Sequence, residues 1–170
     1  MDLTVISNAI YARIQADTGS GGLWLSAGTI NTAVIAEIRY AIATPSVPVF
    51  PYVVWELDWD DDYANFTGDG AMFMATFTIR DMAARGWDRI SVIVNRLIGD
   101  AMLASGNRNV PTYGFNRHRL VLATDSTNPL GMKTDAMRWV PVGGNRPTDE
   151  NYLEAVLAFR GLATTQAVNE

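Results

Sequence analysis

The chain contains no cysteine. That absence excludes disulfides, thiolate metal sites and a cysteine nucleophile together, and it fits assembly in a reducing cytoplasm. Histidine is almost missing too. His118 is the only one, which leaves a histidine-based metal site without ligands. No Gly-x-Ser-x-Gly elbow accompanies it, so a serine triad has no nucleophile turn, and His118 reads as a polar residue at the edge of a strand. Charge is also scarce: Asp, Glu, Lys and Arg make up 18% of the chain, against about 25% in ordinary soluble domains. A surface short of charge leaves apolar area for a partner to cover. The formal net charge is -5, and the thirteen basic residues, all but Lys133 arginine, are scattered. Without a basic stripe the chain is not a nucleic-acid binder by charge. No apolar run approaches the about 18 residues that span a bilayer. Met1-Asp2-Leu3-Thr4 opens with an acid and no basic region, which is not the pattern of a secretory signal.

What is present is a pattern of strands and helices. The 170 residues are 48% hydrophobic, enough for one domain, residues 1–170, with a real core. Leu3, Ile6, Ile10 and Ile14 recur at helical spacing behind Asp2. Residues 17–22, Asp17-Thr18-Gly19-Ser20-Gly21-Gly22, predict a flexible loop. Leu23 to Ala43 fits a strand through Val34, Ile38, Tyr40 and Ile42, or a short helix through Ile30, Val34 and Ile38; we favour strand character at its end. The prolines of Pro45 to Pro51 keep the chain extended. They deliver it into a strand over 52–59, with Val53, Trp55, Leu57 and Trp59 on one face. After a polar loop, a second strand over 72–80 puts Phe73, Ala75, Phe77 and Ile79 on one face and Thr76, Thr78 and Arg80 on the other. Two such strands pair antiparallel.

Gly86-Trp87-Asp88 opens the clearest helix, Trp87 to Leu103, striped by Ile90, Ile93, Val94, Leu97 and Ala101 and ended by Ser105-Gly106-Asn107. His118 to Ala123 reads as a strand, and Pro129 to Met137, within a longer insertion near 128–150, as an exposed excursion. Trp139 to Val142 reads as a short edge strand, because Pro141 cannot donate to a ladder. The last strand runs from Tyr152 to Leu162 with Leu153, Ala155, Leu157 and Phe159 on one face, and residues 164–170 form a frayed tail. The fold class is α+β: a mainly antiparallel sheet with helices packed on one face.

No catalytic grouping accompanies these elements, and we expect no enzyme activity and no cofactor. Asp58, Asp60 and Asp62, with Asp69 beyond, echo a calcium loop, but the turn position that needs glycine holds Tyr63 and no bidentate glutamate closes it. We therefore expect no metal there. The acids Asp58, Asp60, Asp61 and Asp62 read instead as a charged surface that meets arginines of a neighbour or repels DNA. Gly19-x-Gly21-Gly22 lacks the lysine and the strand-to-helix setting of a phosphate cradle. Of Trp55, Trp59, Trp87 and Trp139, which lie within or at the ends of these elements, most read as core. Trp24 and Leu25, in an apolar triplet after the glycine-rich loop, are either an interface anchor or a plug folded back on the core.

The order of these elements resembles the tail terminator (tail completion) family of long-tailed bacteriophages, including the lambda-like tail terminators. The resemblance rests on the N-terminal helix, Phe50-Pro51-Tyr52-Val53-Val54, the acidic turn, strand 72–80, and the helix from Trp87. Arg119-Leu120-Val121-Leu122 and the strand Tyr152 to Arg160 complete it. It covers most of the chain from Val47 to Ala163, and the Leu23 to Ser46 and Asn128 to Glu150 regions are longer than the common pattern. The resemblance implies a structural virion protein, assembled in the host cytoplasm and located at the head-tail junction. Its members form a hexameric ring that caps the tail tube, ends its polymerisation and joins the head-side connector or stopper protein. DNA passes through without specific binding, and no membrane is involved. A head-side neck (head completion) ring and a small hydrolase with an unrecognised carboxylate site are the alternatives.

Overall fold

Alternation of large apolar residues along three strands builds the sheet on which everything else rests. The computed structural model describes residues 3–18, 22–23, 37–40, 50–59, 70–99, 113–123, 128, 131–142, 146–149 and 151–165. Among them are α1 (Leu3–Ala16), β1 (Glu37–Tyr40), β2 (Tyr52–Trp59), β3 (Gly70–Met82), α2 (Asp88–Ile98), β4 (Lys133–Thr134), β5 (Arg138–Val140), β6 (Arg146–Asp149) and β7 (Tyr152–Thr164). The fold is α+β with a mainly antiparallel sheet, in the order β1-β2-β3-β7-β4. β1 pairs parallel with β2, while β2 with β3 and β3 with β7 are antiparallel.

The register puts the apolar residues of neighbouring strands in common rows. Val53 pairs with Ile79 and Ile79 with Ala155, and the next row joins Trp55, Phe77 and Leu157. A third row joins Leu57, Ala75 and Phe159. Every one of these side chains is buried. Both helices cover that face. Ile6, Ile10 and Ile14 of α1 and Ile90, Ile93 and Leu97 of α2 lie in one cluster with it. Phe115 completes the core, its ring 5.1 Å from Phe77 and 5.7 Å from Phe159. Gly161 permits a close approach, because a Cβ there would lie 2.5 Å from the tip of the Phe73 ring.

Several sequence expectations are corrected. α2 stops at Ile98, well before Ser105, at a Gly99 with φ of +87°. A Cβ at Gly99 would sit 2.6 Å from the Tyr113 carbonyl oxygen, so helix end and the following turn meet backbone to backbone. The turn is bonded there, with Phe115 N–H donating to Leu97 O at 2.8 Å and Asn116 N–H to Ile98 O at 3.0 Å. His118 to Ala123 is not a ladder strand. It keeps strand-like alternation, with His118, Leu120 and Leu122 buried and Arg119, Val121 and Ala123 exposed. A side chain takes the place of a strand partner: Leu120 N–H donates to Thr134 Oγ1 at 3.1 Å.

The described part of Pro129 to Met137 is no exposed excursion. Met132, Thr134 and Met137 are buried, and β4, β5 and β6 follow one another antiparallel along the second edge of β7. β5 stops before Pro141, which has no N–H to donate, while Pro147 lies within β6 opposite Leu153. Nor does the chain fray at residue 164, which pairs with Gly70. Of the loop foreseen at 17–22, Asp17 and Gly22 are buried, as is Leu23 after it.

Asp17 explains that ordering. Its Oδ2 accepts from Leu23 N–H at 3.0 Å and from Arg96 Nε at 2.8 Å, and its Oδ1 accepts from the second guanidinium arm of Arg96. This bidentate pair ties the end of α1 to α2. Arg96 also lies over the Tyr113 ring, 3.4 Å from its centroid. Its hydrogen bond to Asp17 is the leading reason its pKa rises above the ordinary arginine value.

Two stability predictions follow from these contacts. Leu97→Ala, at a side chain with no exposed surface, should cost about 2–5 kcal/mol; an unshifted chemical-denaturation midpoint would show that α2 is not packed on the sheet. Asp17→Ala leaves the half-buried Arg96 guanidinium without its carboxylate and the buried Leu23 N–H without an acceptor, and should cost about 1–3 kcal/mol. Equal stability of Asp17→Ala and the double variant Asp17→Ala/Arg96→Met would show that the unpaired guanidinium costs nothing.

Candidate interaction surface

Most of the charge that lies close to the core is spent on holding the fold. Asp81, fully buried at the end of β3, accepts from Met82 N–H at 2.8 Å and from Arg85 at 3.2 Å, with Arg89 Nε 3.6 Å away. The carboxylate thus clamps β3, the short 3-10 turn Ala83–Arg85 and the first turn of α2. On the sheet's other face Arg80 Nε donates to Glu154 at 2.5 Å and its guanidinium to the Tyr52 hydroxyl at 3.2 Å, crossing β2, β3 and β7. These residues have the composition of a catalytic site but the connectivity of a brace.

His118 is also internal, which corrects its assignment to a strand edge. It is 2% exposed, and among the described residues its Nε2 has no hydrogen-bond partner. Burial, with a smaller contribution from the Arg13 charge, pushes its pKa from the ordinary 6.5 down to about 4. The ring is therefore neutral at pH 7. Arg13 is itself anchored nearby, its Nε donating to Gly114 O at 2.5 Å. Phe115 O accepts from His118 N–H at 3.2 Å and His118 O from Met137 N–H at 2.6 Å, so the histidine sits at the junction of the turn and the segment joining β4 to β5.

The face of the sheet opposite α1 and α2 carries a different population. Val54, Glu56 and Asp58 of β2 share rows with Thr78, Thr76 and Met74 of β3, and these with Val156, Ala158 and Arg160 of β7. Arg160 pairs in turn with Arg138 of β5. At this end of the sheet an open groove of about 630 Å³ lies beside β5. Met72, Gly161 and Leu162 line one part of it and Arg138, Trp139 and Pro141 another, with Arg119, Asp135 and Arg160 also in its wall. Trp139, expected on a short edge strand, is 44% exposed. Its backbone N–H is held by Asn116 Oδ1 at 3.2 Å. Three arginines against one aspartate give the groove a positive character inside an acidic chain. The Arg119–Asp135 contact, at 3.7 Å between largely exposed side chains, neutralises little. Arg138 is exposed and makes no hydrogen bond or ion pair among the described residues.

Of the residues singled out from the sequence, Asp58 is exposed at the end of β2 and forms no ion pair among the described residues. Trp24, Leu25, Asp60, Asp61 and Asp62 lie outside the described residues. Leu23, first of the apolar triplet, is 3% exposed and belongs to the core. The arginine groove went unnoticed in the sequence because Arg119, Arg138 and Arg160 are far apart along the chain. The hint present was an edge strand ended by Pro141 and carrying Arg138-Trp139. Among the described residues no group of three or more potential metal ligands is gathered, and no helix is long and apolar enough to cross a membrane. No protein-family model matches the chain, and no curated protein matches it either.

The buried histidine generates a pH prediction. Between pH about 6.5 and about 4 the unfolded chain binds a proton at His118 that the folded chain refuses. Stability contributed by neutral His118 is thus intact above that window and lost as pH falls through it. Denaturation midpoints at pH 7 and pH 5 should differ more for the wild type than for His118→Phe. Parallel pH profiles for the two proteins would contradict the burial of an unprotonated ring.

Proposed function

We propose that the protein is a ring-forming tail terminator: a structural virion protein that caps the head-proximal end of a phage tail tube, ends its polymerisation and joins it to the head-side connector. The observation that carries this reading is the succession of the N-terminal helix, Phe50-Pro51-Tyr52-Val53-Val54, the long strands β2 and β3, the amphipathic α2 and the closing strand β7. That succession resembles the tail terminator family over most of Val47 to Ala163.

Physical features support it. A ring subunit repeats one heterologous contact until rotation closes it, so it needs two unlike, complementary surfaces. An exposed tryptophan beside unneutralised arginine, and a separate acidic stretch, are surfaces of that kind. The net charge of -5 suits a ring through which DNA passes without being held. The charged side chains nearest the core are engaged in structural ion pairs, which leaves them poor candidates for hydrolysis. The protein is assembled in the host cytoplasm and acts in the virion at the head-tail junction, with six copies in the ring.

The test is tube assembly. Tail tube protein should polymerise into short tubes with a ring at one end when the purified protein is added, and into unbounded tubes without it. Light scattering of the protein alone and with tube protein should register the ring only when tube ends are present. Tubes whose length and ends are unchanged by an excess of the protein would remove the tail-terminator reading.

A further inference from the structure

We propose that the groove beside β5 is a docking site for a second copy of this chain, and that its occupant is the partner's acidic segment Asp58 to Tyr63. The contact rests on the ring reading for its place in the virion, although its chemistry stands without it.

The groove offers guanidinium groups around an apolar base. Arg119, Arg138 and Arg160 stand in its wall, Met72 and Leu162 lie along β3 and β7, and the indole of Trp139 is partly open to solvent. Such a surface selects a ligand with several carboxylates and an aromatic or apolar group beside them. The sequence Asp58-Trp59-Asp60-Asp61-Asp62-Tyr63 is the densest run of carboxylates in the chain, and it ends in an aromatic residue. Four carboxylates so close together repel one another, and a basic surface relieves that repulsion.

One charge on each side of the contact is unpaired among the described residues. Asp58 and Arg138 are each exposed, and neither makes an ion pair among the described residues. They cannot satisfy each other within one chain. Asp58 pairs with Met74, Met74 with Arg160 and Arg160 with Arg138, which sets them three strand spacings, or about 14 Å, apart. A second subunit can bring its acids to Arg138 while presenting its own groove to a third. The contact is therefore heterologous and repeats.

The absence of native cysteine makes the contact directly testable. Asp61→Cys and Arg138→Cys, each alone in the full chain, are mixed under mild oxidation with and without tail tube protein. The covalent heterodimer should exceed either homodimer by about tenfold, and molar salt should cut its yield severalfold. The chain carrying both cysteines should give covalent multimers. Asp58→Cys, at an exposed strand position, replaces Asp61→Cys if that variant does not fold by circular dichroism. Heterodimer at no more than the random proportion, no covalent dimer in either condition, or closure of the doubly substituted chain on itself would each overturn the docking. If those variants still cap tail tubes, the terminator reading survives and only the contact is lost; if the contact forms but tubes stay uncapped, the reverse holds.

Discussion

The antiparallel ladder between β3 and β7 is the constraint on which the rest of the molecule depends. It runs unbroken from Gly70 opposite Thr164 to Met82 opposite Tyr152. Because side chains alternate along a strand, a slip of one residue would turn the whole apolar row Phe73, Ala75, Phe77 and Ile79 out of the core. The burial of Ala155, Leu157 and Phe159 opposite those residues opposes that slip from the other strand. The helices and the 113–117 turn then pack on a surface whose pattern is already set. β7 also carries β4, β5 and β6 on its far edge, so one strand organises both the helix-covered core and the broken margin.

Ion pairs fix the positions of the helices on that sheet. Asp17 with Arg96 joins the end of α1 to α2, and Asp81 with Arg85 and Arg89 joins the end of β3 to the start of α2. Such pairs add little net stability over apolar replacements, since both partners lose water, but breaking one half is costly. Their contribution is positional: each specifies one placement of α2 over a sheet face that greasy contacts alone would let it slide across. The close backbone meeting of Gly99 with Tyr113 and Gly114 serves the same end, bringing Phe115 down onto Phe77 and Phe159.

The interaction surface arises where regular pairing fails. A continuous strand along β7 would have closed the sheet margin. β4 and β5 are separated at 135–137 and β5 stops before Pro141. Beside this interrupted edge lies a groove lined by residues 135–136 and 138–141, by Arg160 to Leu162 of β7, by Met72 and by Arg119, with Trp139 half in solvent. Charges used inside the fold are paired there, whereas Asp58 and Arg138, on the face opposite α1 and α2, form no ion pair among the described residues. That division between braced and exposed charge is what the proposed assembling role draws on.

Local pattern alone determined α1, β2, β3, the start of α2, β7 and their antiparallel α+β arrangement, because each carries a long apolar period that only one secondary structure can bury. The tertiary structure decided what such periods do not encode. It ended α2 at Gly99, where a side chain would strike Tyr113, and made Met132 and Met137 core. It also ordered Asp17 and Leu23 through Arg96, a partner far along the chain. His118, expected at a strand edge, is internal for the same reason. A residue's exposure at an irregular margin is set by which distant segments cover it, and the 118–123 segment and the edge strands find their partners only once β7 is in place. The arginines of the groove are gathered in the same way, by strand register and not by sequence spacing.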